Sequence, residues 1–236
     1  MCNLHHMAPR LHVEAYFRAQ VPDYTPAAVG PFGTGLFLRP EGAGLLGVLG
    51  QWGMVQPGAR TRRPESRAIL TNNARSETVA SRPTYRAAWA AGQRCLVPAA
   101  WYQEPNWETG KNIWWRLARA DGEPWALAGL WSEWADPATG EILPSFTVLT
   151  VNCDGHPLLG RLHKPDPKLP ADAQDKRSLV PLAPAQWERW LLGSEAEARA
   201  LLVPPPMAWF DLGDMHHLDA VLAAQAAAQA QAQQDG

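Results

Sequence analysis

The residues with the clearest chemical potential come first in the chain, Met1-Cys2. Once Met1 is removed, Cys2 carries a thiol and a free α-amine on adjacent carbons. Both can attack one carbonyl carbon: the amine condenses with an aldehyde to an imine, and the thiol closes a five-membered thiazolidine on it. An internal cysteine cannot do this, because its nitrogen is an amide. Reference pKa values of about 7.7–8.0 for the amine and about 8.5 for the thiol leave usable fractions of both deprotonated near neutrality. A second chemical feature is a concentration of arginine. Between residues 58 and 94 lie Arg60, Arg62, Arg63, Arg67, Arg75, Arg82, Arg86 and Arg94, opposed by Glu65 and Glu77 alone, a local charge of +6 in a chain of net charge −2. Guanidinium groups in such a cluster suit bidentate phosphate contact, or else a solvated face balanced by acidic neighbours. His5, His6 and Met7 follow the cysteine without a thiolate or carboxylate at ligand spacing, so no metal site and no cofactor are expected.

The 236 residues, 46% of them hydrophobic, are enough for a substantial core. Cys2, Cys95 and Cys153 form an odd set without a CxxC pair, which fits a reducing cytosol better than a disulfide framework. No apolar run is long enough to span a bilayer, and His5, His6, Pro9 and Arg10 interrupt any signal-peptide core. A cytoplasmic monomer without a membrane partner is the expectation. Glycine-rich phosphate loops, G-x-S-x-G and H-E-x-x-H are absent.

Apolar spacing predicts a helix over residues 10–19 and strands over 34–39, 44–55, 94–103, 113–117, 125–134, 146–151, 178–182 and 208–211. A helix broken or started near Pro83 is expected within 77–91, and further helices over 184–192 and 195–202, the last opened by a capping box of Ser194 and Glu197. One or two helical turns fall in 155–162, and 164–177 is a loop. Strands largely unbroken by alternating helices argue for an α+β fold with largely antiparallel sheets in a barrel-like core and flanking helices. A single domain over 1–215 would be followed by an Ala/Gln-rich tail over 216–236 with no face to bury.

Several short stretches fall in a recognisable order. Met1-Cys2 is followed by Trp52-Gly53 with a Pro loop, by Asn73-Ala74-Arg75-Ser76-Glu77-Thr78, and by Arg94-Cys95-Leu96-Val97-Pro98 running into Tyr102-Gln103-Glu104. His156-Pro157 and Leu162-His163-Lys164-Pro165 come next, with Lys176-Arg177-Ser178-Leu179-Val180 behind them. Over roughly residues 1–210 this resembles the SRAP family, the SOS response-associated peptidase domain. The resemblance implies binding to single-stranded DNA and a covalent thiazolidine between Cys2 and an abasic site, with Met1 removed first and the protein assisting that removal. It implies catalytic roles for Cys2, Asn73, Glu104 and His163, and DNA contacts from Trp52, Gly53, Arg75, Arg82 and Arg86.

The residue types suit that chemistry. An abasic sugar is mostly a closed hemiacetal, and a carboxyl group such as Glu104 can protonate the ring oxygen to open it. Its surroundings of Trp101, Tyr102 and Trp107 would raise its pKa by desolvation. His163, preferred over His156, would titrate near neutrality and shuttle protons. Asn73 would hold the amine or the cysteine, Arg75 would meet a phosphate, and Trp52 would stack on a base. Leu4 stands where the family usually has an arginine. Two other readings remain open at this point: an N-terminal cysteine peptidase or amidohydrolase using Cys2, His163 and Glu104, and a non-covalent single-strand binding module.

Overall fold

The fold is organised by five strands that close on themselves. The computed structural model describes residues 2–66 and 68–234; Met1 and Arg67, both named above, lie outside the described residues. Short β1 (His5–Met7), helix α1 (Arg10–Phe17), and the two-residue strands β2 (Ala19–Gln20) and β3 (Ala28–Val29) lead into a hairpin of β4 (Thr34–Glu41) and β5 (Gly44–Trp52). Gly42, at φ 57°, makes the tight hairpin turn. β6 (Asn73–Arg75) and helix α2 (Arg86–Ala90) precede the long β7 (Arg94–Asn106), β8 (Ile113–Ala118), β9 (Trp125–Ala135) and β10 (Ile142–Asn152). β11 (Arg177–Leu179) and helices α3 (Trp187–Leu192), α4 (Glu195–Ala200) and α5 (Gly213–Gln234) complete the order.

Strand β7 pairs antiparallel with both β9 and β4, and β9 pairs antiparallel with β10. The ring closes where β10 meets β5 in parallel, with Phe146 beside Trp52. The result is a five-stranded mixed barrel. The α+β class, the barrel-like core and the flanking helices are as expected, and the parallel closure is the refinement. Phe37, Leu38, Leu96, Ala128, Leu130, Phe146 and Leu149 are buried. Gly129 permits close approach of β9 and β10, since a Cβ there would lie 2.8 Å from the Thr147 carbonyl oxygen.

Helix α2 starts just after Pro83, as expected: Pro83 supplies no amide donor, and the chain before it turns on the Thr78 carbonyl, which accepts from the Ser81 and Arg82 amides. Three expectations change. Strand 178–182 is cut to β11, ahead of Pro181. The strand expected over 208–211 is a 3-10 turn at Met207–Trp209 with one bridge from Phe210 to Arg119. Helix α5 runs through the expected boundary at 215/216, burying Met215 and Leu218 before its Ala/Gln portion emerges into solvent. Among the described residues no helix is long and apolar enough to cross a membrane.

Candidate active site at the N-terminal cysteine

Strand β1 lies between β3 and β7, with His5 opposite Tyr102 and His6 opposite Trp101. The Gln103 amide donates to the Leu4 carbonyl at 3.2 Å, extending the pairing toward the chain start. This antiparallel run carries Cys2 to the Glu104 end of β7. The Cys2 side chain is fully buried; its Sγ donates to Leu4 O at 3.2 Å and lies 3.9 Å from Gln103 O. Burial, helped by the nearby Glu104 charge, pushes the thiol pKa well up, so the sulfur rests as a neutral thiol.

Two amides grip the same residue. Strand β6 runs parallel to β10, Asn73 beside Val148, and Asn73 Nδ2 donates to the Cys2 carbonyl at 2.6 Å. Asn72 Nδ2 donates to that carbonyl at 3.3 Å and to Asn3 Oδ1 at 3.1 Å. Asn72 escaped the sequence reading, which took Asn73 alone from the Asn73-Ala74-Arg75 stretch. Its backbone carbonyl accepts from Trp52 Nε1 at 2.8 Å, and Tyr85 donates its hydroxyl to Asn73 O at 3.1 Å, so the Asn pair is held from behind.

Alternation along β7 buries Tyr102, Glu104 and Asn106 while Trp101, Gln103 and Pro105 are partly exposed. Glu104 is 2% exposed, and neither carboxylate oxygen has a hydrogen-bond partner among the described residues. Burial raises its pKa to about 8, so it is predominantly a neutral acid at pH 7. His163 Nε2 lies 3.6 Å from Glu104 Oε2. The histidine is placed by its backbone, which donates to Pro105 O at 2.6 Å while φ is 64°. Lys176 Nζ donates to the His163 carbonyl at 2.6 Å, and His163 Nε2 is 3.2 Å from Arg177 O. Burial pushes the imidazole pKa down to about 4. This corrects the expected titration near neutrality: at pH 7 the ring is neutral. Of the four expected catalytic residues, Cys2, Asn73 and Glu104 are buried, and the partly exposed His163 stands beside the Glu104 carboxyl. His156 does something else, its Nδ1 accepting from the Leu158 and Leu159 amides and its Nε2 bonding Pro205 O.

The expected DNA contacts divide. Trp52 is fully buried, edge-on to His5 with centroids 4.6 Å apart. It therefore cannot stack on a base, and its role is to hold Asn72. Gly53 is buried as well, at φ 145°, and a Cβ there would sit 2.8 Å from the Phe32 ring; it serves the chain path, not a surface. Arg75 is exposed and paired with Asp175 at 2.7 Å. Arg82 and Arg86 are exposed beside and on α2, and Arg60, Arg62 and Arg63 line a cleft of about 260 Å³. Arg94, by contrast, is buried and donates to the Trp190 and Gly193 carbonyls. No cluster of His, Cys, Asp and Glu able to hold a metal occurs among the described residues.

These features define an α+β barrel protein that holds a cysteine at position 2 against a buried carboxylic acid and a neutral imidazole. The family model for the SOS response associated peptidase (SRAP) matches residues 12–216, and the chain belongs to that family. Cys2 precedes the matched span. Abasic site processing protein HMCES of Xenopus tropicalis is 29% identical over 119 residues, covering 43% of this chain and 36% of that protein. Abasic site processing protein YobE of Bacillus subtilis (strain 168) is 27% identical over 132 residues, covering 56% of this chain and 57% of that protein. The matches thus span between about a third and somewhat over half of those relatives. A crystal structure of a protein from Bordetella bronchiseptica superposes with a TM-score of 0.77 at 34% identity, covering 89% of this chain and 97% of that one. One from Bacteroides thetaiotaomicron shares the fold at 22% identity, TM-score 0.73, covering 89% and 90%.

Proposed function

We propose that this protein captures abasic sites in single-stranded DNA by a thiazolidine between Cys2 and the deoxyribose C1′ carbon. The observation that carries the reading is the placement of Cys2, gripped through its carbonyl by Asn73, near the buried Glu104 carboxyl, whose pKa burial raises. The names of the curated relatives and the exposed arginines support the substrate class.

Removal of Met1 by hydrolysis frees the Cys2 amine. Glu104 donates its proton to the sugar ring oxygen, the C1′ hydroxyl gives up its own proton, and the ring opens to the aldehyde. The amine adds to C1′, and the resulting carbinolamine loses water to leave an imine. The thiol then adds to the imine carbon, forming the C–S bond, and the thiol proton ends on nitrogen. Condensation releases one water per link and needs no oxidant or reductant. The neutral His163 serves as an acceptor that relays protons between the amine and Glu104. A peptidase nucleophile needs a base on its sulfur, whereas Cys2 Sγ is engaged by two backbone carbonyls, which favours carbonyl capture.

The test uses purified protein whose Met1 status is read by mass spectrometry, incubated with an oligonucleotide bearing one abasic site. A heat-stable adduct is expected, absent in Cys2→Ala and in any fraction retaining Met1. An adduct of undiminished yield in Cys2→Ala would refute the mechanism.

A further inference from the structure

The proposed reaction uses up two of the places at which Cys2 can be held. The amine becomes part of the ring, and the sulfur must leave the Leu4 and Gln103 carbonyls to reach the imine carbon. The carbonyl of Cys2 takes no part in the chemistry, so it is the anchor that lasts from the first step to the last. Asn73 gives it one hydrogen bond, at 2.6 Å. A single hydrogen bond fixes a point and lets the residue pivot about it. Aiming two nucleophilic atoms at one carbon needs a fixed direction as well.

Asn72 supplies the second point. Its Nδ2 donates to the Cys2 carbonyl at 3.3 Å and to Asn3 Oδ1 at 3.1 Å, so one amide grips two consecutive residues. A carbonyl can only accept, so the end of Asn72 that faces Cys2 is its nitrogen, and Asn3 must present its oxygen. The grip is rigid. Asn72 is fully buried, and its own carbonyl accepts from the Val148 amide at 3.0 Å and from Trp52 Nε1 at 2.8 Å. Those two donors belong to β10 and β5, the strands that close the barrel. The other end of the side chain is idle: Asn72 Oδ1 is buried without a hydrogen-bond partner among the described residues. A buried amide with a bare acceptor costs stability relative to an apolar side chain of similar shape. Packing alone would favour leucine here, so the amide contributes through its donor.

We infer that Asn72 is a positioning residue that works with Asn3: together they fix the orientation of the Cys2–Asn3 peptide and so aim the Cys2 amine and thiol at the sugar carbon. Neither side chain touches the reacting atoms. The inference rests on the proposed function and deepens it, since it assigns the alignment of the nucleophile to a pair outside the four expected catalytic residues.

The experiment compares wild type, Asn3→Ala, Asn72→Leu and the double variant as full chains shown by mass spectrometry to lack Met1. Adduct formation is timed in single turnover at saturating protein on a single-stranded oligonucleotide bearing one abasic site. Affinity is measured separately with a tetrahydrofuran, an unreactive abasic analogue, at that position. Asn72→Leu removes two neutral hydrogen bonds and should slow the adduct about 5- to 150-fold, and Asn3→Ala removes one and should slow it about 2- to 12-fold. In the Asn72→Leu background Asn3→Ala should have no further effect, because the two act as one unit. Asn3→Asp, which keeps the acceptor, should recover the rate lost in Asn3→Ala. Affinity for the tetrahydrofuran strand should be unchanged, and the urea midpoint of Asn72→Leu should hold or rise, neither of which a merely structural role allows. Asn3→Ala reacting at the wild-type rate, independent losses in the double variant, or a rate loss matched by lost affinity overturns the inference. Asn3 is exposed, so its alanine variant decides the matter even if Asn72→Leu fails to fold. Absence of any adduct in wild type removes the capture chemistry instead. Positioning is then read from amide hydrogen exchange over residues 2–7: faster exchange in Asn3→Ala upholds it, and unchanged exchange overturns it.

Discussion

Replacing Glu104 with glutamine should make the protein more stable at pH 8 and nearly inactive. The carboxyl is buried, lacks hydrogen-bond partners among the described residues, and has its pKa raised from an ordinary 4.5 to about 8. A raised carboxyl pKa means that the folded state holds the proton more tightly than the unfolded chain. The associated stability is fully present below pH 4.5 and is lost progressively as pH rises to about 8. At about 1.4 kcal/mol per pH unit, the loss at pH 7 is roughly 3 kcal/mol. Glutamine has the same shape and no charge to desolvate, so Glu104→Gln should sit within about 1 kcal/mol of wild type at pH 5 and exceed it by roughly 3–4 kcal/mol near pH 8. Urea denaturation from pH 5 to 8.5 reads the difference directly. Capture should move the other way. At pH 7 the buried carboxyl is roughly 90% protonated, against well under 1% for an unperturbed one, and losing a positioned acid should slow adduct formation about 10²–10⁴-fold. The wild-type rate should fall as pH climbs through about 8, and that limb should vanish in the variant. Stability curves that run parallel across the whole pH range would refute the reasoning, because they would show that Glu104 ionises as freely in the fold as outside it.

Three further outcomes are expected. Trp52→Ala should cost about 3–5 kcal/mol in chemical denaturation, as for a fully buried indole, while Trp52→Phe should lower adduct yield less, through the lost bond to Asn72 O. Arg177 is buried and makes a double ion pair with half-exposed Glu77 as well as a bond to Thr150 O. Arg177→Ala should therefore destabilise by about 2–3 kcal/mol and Glu77→Ala by about 1 kcal/mol, measured as shifts in urea midpoint. Arg82→Gln and Arg86→Gln should each weaken single-strand binding without regard to sequence and lower the salt dependence by about 0.7 per lost phosphate contact, read from affinities at several salt concentrations.

What could be read from residue order was local. The apolar run over 94–103 marks most of β7, and the run over 146–151 marks the core of β10. The capping box is present, with Ser194 Oγ accepting from the Glu197 amide and the Glu197 carboxylate accepting from the Ser194 amide. The parts that were not legible depend on distant partners. Strand β1 is three residues with two histidines and shows no pattern; it is a strand because β3 and β7 flank it. Whether an indole faces solvent or core is decided by its neighbours, so Trp52 was assigned outward and lies inward. His163 was placed by motif order, but its charge state follows from enclosure that no local spacing encodes.

The same contrast explains why a residue so near the start of the chain, the nucleophile of the proposed reaction, needs a barrel behind it. Terminal residues usually fray, because few contacts repay the entropy of ordering them. Here the first strand is an inner member of its sheet, and the carbonyl of Cys2 is held by side chains about seventy positions away while its sulfur meets β7 about a hundred positions away. These tethers bring together groups that the fold would be more stable without: a carboxylic acid and the His5 imidazole, both lacking hydrogen-bond partners among the described residues, and the His163 imidazole kept neutral by burial. Barrel closure by β5 and β10 holds Trp52 beside Phe146 and thereby sets Asn72 and Asn73. The precision of the site is thus a long-range property, purchased with the barrel's surplus packing energy. The acid that weakens the fold as pH rises is the one to which the proposed mechanism assigns the opening of the sugar.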